Sequence, residues 1–250
     1  MISALEYLLL FVAAFAAGAI NALAGGGSIF TFPVLIAAGI PPVAANITNT
    51  VALLPGYVGG VLAQRNDLAG QGRRLFLLLP VTAAGGIVGA VLLTRTSDRT
   101  FLALVPALVL AACALLAVQD RARRFLSRGA ARVSLGWAIV PMLLAAIYGG
   151  YFGAGVSVMF LALAGLAIDD SLTRLNALKQ AMSLAANLAA ALFFAGGGAV
   201  VWEVAGVMAV GALLGGAAGG RLASRVRSGV LRTLVIAGGV LIALYFALIR

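Results

Sequence analysis

The 250-residue sequence has no histidine, one cysteine, one lysine and seven acidic residues. Without histidine there is no imidazole for a metal site, a catalytic triad or a proton relay. The lone Cys113 lies inside an apolar run and forms no internal disulfide. All seven acids (Glu6, Asp67, Asp98, Asp120, Asp169, Asp170, Glu203) fall between or near the ends of apolar runs. No carboxylate is therefore placed mid-membrane to carry protons or bind sodium, which argues against a carboxylate-coupled symporter. Charged residues make up 10% of the chain and hydrophobic ones 63%, where a soluble domain has about 25% and about 45–50%. The mean hydropathy is +1.14. A core of this length could bury only part of that excess, so the sequence is that of an integral membrane protein. A crossing helix takes about 20 residues, so on the order of eight to ten would use nearly the whole chain. That leaves no room for a separate soluble domain and excludes most nucleotide-driven transport within one chain.

What charge there is has a pattern. The net +10 comes from sixteen arginines and one lysine against the seven acids. The arginines sit between apolar runs, where they read as topology signals and anchors to lipid headgroups and not as a nucleic-acid surface. The chain begins MISALEY, with no basic leader region and no cleavage signal, so its first apolar run is expected to be retained as a helix.

Ten apolar segments are expected, at roughly 4–24, 28–40, 43–64, 74–94, 99–119, 133–152, 156–168, 171–195, 200–222 and 229–249. The second and seventh are short, and each follows a glycine-rich break. The two halves repeat one another. Gly25 and Gly27 recur 128 positions on as Gly153 and Gly155. Asn46 recurs 130 positions on as Asn176, and Gly85, Gly86 and Gly89 recur as Gly215, Gly216 and Gly219. The expected division is a first transmembrane repeat at 1–119, a basic cytoplasmic linker at 120–132 and a second repeat at 133–250. Loop charges make the repeats inverted. The loop at 65–74 carries Arg65, Arg73 and Arg74, whereas its counterpart at 195–203 carries only Glu203. The 95–99 loop is weakly charged, and its counterpart at 221–229 holds Arg221, Arg225 and Arg227. Such a swap requires an odd number of crossings per half. The fold class is thus an all-α integral membrane protein of two inverted repeats of about five segments, with both termini external.

Inverted repeats with a short, glycine-interrupted segment in each half point to a midplane site built from broken helices. A helix that starts inside the membrane has unpartnered N–H groups and a positive dipole end, both of which suit an anion. The candidate residues of the first half are Asn21, Gly25, Gly26, Gly27, Ser28, Thr48 and Asn49. Those of the second are Gly153, Gly155, Ser157, Asn176 and Lys179. Asn176 and Lys179 are three apart and share a helix face. Lys179 is the only lysine and lies about eight residues, or roughly 12 Å, into its segment, so it is the candidate counter-charge. Its competing role is that of an anchor reaching the headgroups, for which Arg174 is better placed. The repeated glycines read as close helix packing, Trp137 and Trp202 as interface anchors, and Phe30, Phe32 and Phe160 as packing. Tyr57, Tyr148 and Tyr151 could offer hydroxyls.

The stretches GAINALAGGGSIFTFPVLIAAGIPPVAANITNT and YGGYFGAGVSVMFLALAGL, with LNALKQAMSLAANL, resemble the paired motifs of the TauE/SafE family of sulfite and organosulfur anion transporters. Leu161 stands where the first half has Pro33. The resemblance covers nearly the whole chain and implies a bacterial inner-membrane transporter of a small sulfur-containing anion, with no cofactor. Combined with the missing mid-membrane acids, the expectation is potential-driven export of a sulfite-like anion. Coupled uptake of a sulfonate and an anion channel stay open as alternatives. An enzyme would have to use Ser28 or Ser157 with Lys179 as its sole base and is not expected. Membrane lipid is an expected partner, nucleic acid is not, and a homodimer is allowed.

Overall fold

The computed structural model describes the backbone of residues 2–23, 26–127, 134–222 and 228–248. Its helices are α1 (Ala4–Leu23), α2 (Ser28–Ala37), α3 (Pro42–Ala63), α4 (Gly72–Thr94), α5 (Asp98–Ser127), α6 (Leu135–Tyr151), α7 (Val156–Ala167), α8 (Leu172–Ala195), α9 (Trp202–Leu222) and α10 (Ser228–Leu248). A short 3₁₀ turn spans Arg65–Leu68, and no strand occurs among the described residues. These elements coincide with the ten expected segments. The short pair, α2 and α7, are 10 and 12 residues long, roughly half a bilayer crossing at 1.5 Å per residue. The main difference is α5, which runs eight residues into the stretch expected as a linker; residues 128–133 lie outside the described residues. The basic run that starts there contains good helix formers, and apolarity marks the membrane, not the helix.

Among the described residues, five helices are long and apolar enough to cross a membrane, through Ala4–Asn21, Gly72–Thr94, Asp98–Ala117, Leu172–Ala195 and Trp202–Gly219. The fold is all-α and that of a multi-pass membrane protein. Large apolar side chains such as Phe76, Leu192 and Leu241 face outward, as lipid contact requires. Trp137 and Trp202, also exposed, stand near the starts of α6 and α9.

Helices from the two halves interleave. Tyr7 donates to Glu203 at 3.0 Å, Gly211 lies against Phe11, and Gly219 against Ala19, so α1 and α9 run side by side in parallel. Gly85 lies against Leu143 and Ala146, and Gly89 against Ile147 and Tyr151, so α4 and α6 are also parallel. By contrast, Gln64 meets Asn176 and Gly60 meets Gln180, while Thr48 reaches Val201 beyond the end of α8. Those contacts make α3 and α8 antiparallel. Helices α5 and α10 are antiparallel too: Cys113 contacts the Ile236 carbonyl, and Phe32 brings Phe101 and Phe246 together.

The repeated glycines are what allow these approaches. A Cβ on Gly86 would fall against the Ala186 backbone, one on Gly150 against the Gly86 backbone, and one on Gly215 against the Phe15 backbone. The expected close packing is therefore observed. Phe32 and Phe160 are buried in two apolar clusters, as expected of packing residues, and Phe32 contacts Phe101, Phe152 and Phe246 at centroid distances of 5.8–6.0 Å. In the middle of this arrangement lie α3 and α8. The apolar span of α8 is 67% buried inside the protein, compared with 22% for α1.

Candidate functional site

The two glycine breaks produce two different helix starts. Between α6 and α7, Gly153 and Gly155 adopt positive φ of 81° and 76°, which residues with a Cβ adopt only with strain. They turn the chain so that α7 begins beside Ala112 of α5. The Tyr148 hydroxyl fixes this turn by donating to the Ala154 carbonyl at 2.8 Å, and so is engaged in structure. Ser157 lies in the first turn of α7, buried.

At the start of α2, Gly26 has φ 88° and faces Leu116 of α5 and Val235 of α10. Gly27 is packed on the Ala17 backbone with no room for a Cβ. The Gly27 N–H donates to Asn21 Oδ1 at 2.8 Å, which ties the start of α2 to the end of α1. Ser28 is the first residue of α2 and half-buried. Gly25 lies outside the described residues.

The other candidates lie on the α3–α8 pair. Thr48, fully buried, accepts the Val201 N–H at 3.1 Å, and this contact pins the approach to α9. Asn176 donates to Gln64 Oε1 at 2.9 Å, tying the start of α8 to the end of α3. Both side chains thus hold helices together at opposite ends of the seam. Asn46, the repeat counterpart of Asn176, donates to the Tyr151 carbonyl at 2.8 Å. Asn49 and Lys179 are repeat counterparts as well, 130 positions apart. Asn49 is 3% exposed, and its Oδ1 has no hydrogen-bond partner. Lys179 is 5% exposed; a side chain that merely reached for headgroups would be far more open. Arg174, the better anchor, is indeed drawn to the end of the bundle, where it bonds Asp170 and the Ala69 carbonyl.

Three further polar residues, Gln180, Ser183 and Asn187, stand outside the candidates expected from the sequence. All three are buried on α8. Gln180 lies against Gly60 of α3, and Asn187 donates to the Ser183 carbonyl at 2.8 Å. The signal for Ser183 was its place one helical turn beyond Lys179 in a run of alanines and leucines. At the α3 start and α8 end of the seam, a cavity of about 480 Å³ is lined by Ile47, Thr94, Phe194, Gly196 and Ala199. It touches neither glycine break nor Lys179, so it is an opening beside the polar seam and not the seam itself.

Asp170, in the turn before α8, is ion-paired with Arg74 of α4 and with Arg174. The hydrogen bond from Arg74 is the main cause that holds its carboxyl down at about 2. This cluster, with Gln71 donating to the Arg174 carbonyl at 3.0 Å, clasps the seam at the end opposite the cavity.

In comparisons with known proteins, the profile described as sulfite exporter TauE/SafE matches residues 10–246. A probable membrane transporter protein of Haemophilus influenzae is 29% identical over 91% of this chain and 89% of its own. Probable membrane transporter protein ORF9 of a Sinorhizobium species is 28% identical, over 94% and 90%. The probable membrane transporter protein YfcA of Escherichia coli K12 is also 28% identical, over 94% and 87%. No solved structure matches the chain significantly.

Proposed function

From a chain that belongs to the sulfite exporter TauE/SafE family, and is therefore a membrane transporter, we propose export of a small sulfite-like anion through a site on the α3–α8 seam. The observation that carries this reading is that the one lysine of the sequence is buried in the interior of the most buried apolar span among the described residues, where a charge costs several kcal/mol unless it is paired or used. An anion from the cytoplasm would meet Lys179 and the Asn49 amide, with the starts of α2 and α7 adding their positive dipole ends. Ser157, in the first turn of α7, would add a hydroxyl.

The same reading takes the halves as inverted repeats. Its support is that the counterparts α3 and α8 run antiparallel, as do α5 and α10, whereas parallel repeats would align them. Swapping the halves also exchanges the parallel pair α1–α9 with α6–α4. Rocking of one half against the other about such an axis is the expected route to alternating access. A membrane potential that is negative inside drives a monovalent anion outward by about 2.3 kcal/mol per 100 mV, so no coupling ion is needed, in keeping with the missing intramembrane carboxylates.

Equilibrium binding of radiolabelled sulfite to the purified protein tests the site. Saturable binding that weakens at least tenfold in Lys179→Met supports the proposal; binding that is unchanged in that variant removes the lysine from it.

A further inference from the structure

Two buried side-chain atoms among the described residues have no hydrogen-bond partner, Asn49 Oδ1 and Ser183 Oγ, and both lie on the central α3–α8 pair. Native proteins carry few such atoms, because each loses its hydrogen bonds to water without replacement. Inside a membrane there is no nearby solvent to rescue it. The serine is fully buried. An alanine of nearly the same shape would remove the loss, so a hydroxyl at this position calls for a partner that comes and goes.

The helix register says where that partner would be. Two observed contacts define the face of α8 that looks at α3, Asn176 with Gln64 and Gln180 with Gly60. Ser183 follows Asn176 by seven residues and Gln180 by three, which places it on that same face. It also follows Lys179 by four, one turn along. Asn187 continues the line from Gln180 by seven, and Phe194 from Asn187 by another seven. Phe194 lines the cavity at the end of the seam. A continuous row of polar positions thus leads from the clasped end of the seam, past Lys179, toward the open cavity. The corresponding position of the first half is Leu53, buried and apolar, whereas Asn176, Gln180 and Asn187 correspond to Asn46, Thr50 and Tyr57, so the serine itself is a property of the second half and not a by-product of the duplication.

We infer that Ser183 is a substrate-contacting residue, whose hydroxyl donates to an oxygen of the anion as it passes the Lys179 ammonium. The assignment rests on the transport reading above and deepens it. Lys179 supplies charge, and the serine supplies a directional hydrogen bond that selects an oxyanion over a spherical halide of equal charge.

The test compares wild type with Ser183→Ala and Ser183→Thr in proteoliposomes, reading the KM for radiolabelled sulfite, sulfite-over-chloride selectivity and the thermal midpoint of the purified proteins. Loss of a hydrogen bond to a charged ligand corresponds to a rise of about tenfold or more. The expected result is a KM raised at least tenfold in Ser183→Ala, selectivity over chloride reduced, and a thermal midpoint equal to wild type or higher. Recovery of KM in Ser183→Thr would support it further. Unchanged KM and selectivity in Ser183→Ala, with or without a fall in thermal midpoint, would overturn the assignment. A wild-type protein that moves neither sulfite nor sulfoacetate would overturn the transport reading itself, an outcome distinct from wild-type flux that is indifferent to the serine.

Discussion

At the scale of single residues, the candidates divide into side chains spent on a defined partner within the fold and side chains proposed to meet a ligand. Asn21, Thr48 and Asn176 belong to the first group, each spending its side chain on a defined partner. Thr48→Val should therefore lower the thermal midpoint, by roughly 1 kcal/mol of lost hydrogen bond, with the sulfite KM little changed; a thermal-shift assay paired with flux separates the two effects. Asp170 makes a second prediction. Its carboxyl is depressed from 3.8 to about 2 in the folded protein, so the stability it contributes is fully present above pH 3.8 and lost as pH falls through about 2. The difference in thermal midpoint between wild type and Asp170→Asn should be constant from pH 5 to 8 and shrink below pH 4. The stability lost in the variant should amount to about 1 kcal/mol or less for a pair that is still partly exposed. Residue types in polar positions could be read from the sequence, but their partners could not. Thr48 and Val201 are 153 positions apart, and Asn176 and Gln64 are 112 apart. No local pattern announces such pairings, so Thr48, which has a partner, and Asn49, whose Oδ1 has none, looked alike.

At the scale of elements, the starts of the described helices and their stops, that of α5 apart, were legible because apolar runs and glycine breaks are local signals. The short pair was legible for the same reason. What the breaks do was only half visible: Gly153 and Gly155 make a turn with positive φ, while Gly27 provides close approach to α1. The helix contacts give a direct prediction. Gly86→Ala puts a methyl group into the Ala186 backbone and should cost about 1–3 kcal/mol or more of overpacking. Gly59→Ala on α3 meets nothing within 4 Å and should stabilise by about 0.5–1 kcal/mol through helix propensity. Thermal midpoints in one detergent, measured side by side, check the opposite signs.

At the scale of the whole molecule, the two halves are woven together: α1 lies along α9, and α6 along α4. Neither half has its first helix packed mainly within its own repeat. The loop charges that suggested inversion and the antiparallel pairing of α3 with α8 are separate observations that agree. They predict that, in a Cys113→Ser background, Asp67→Cys is labelled by an impermeant thiol reagent only from the cytoplasmic side and Gly198→Cys only from outside. Labelling of both from one side would mean that the halves are not inverted. If Asp67→Cys and Gly198→Cys are labelled as predicted, the cavity beside Phe194 opens outward and the clasp of Arg74, Asp170 and Arg174 faces the cytoplasm, a conformation closed toward the cytoplasm.

The central claim is that a buried lysine on the α3–α8 seam carries a sulfite-like anion down the membrane potential. The most direct measurement is radiolabelled sulfite flux in proteoliposomes under potassium–valinomycin potentials of either sign, with wild type beside Lys179→Met. The account predicts flux that reverses with the sign of the potential, needs no proton or sodium gradient, and disappears in the variant. Flux that ignores the potential, that requires a proton or sodium gradient, or that survives in Lys179→Met would contradict it.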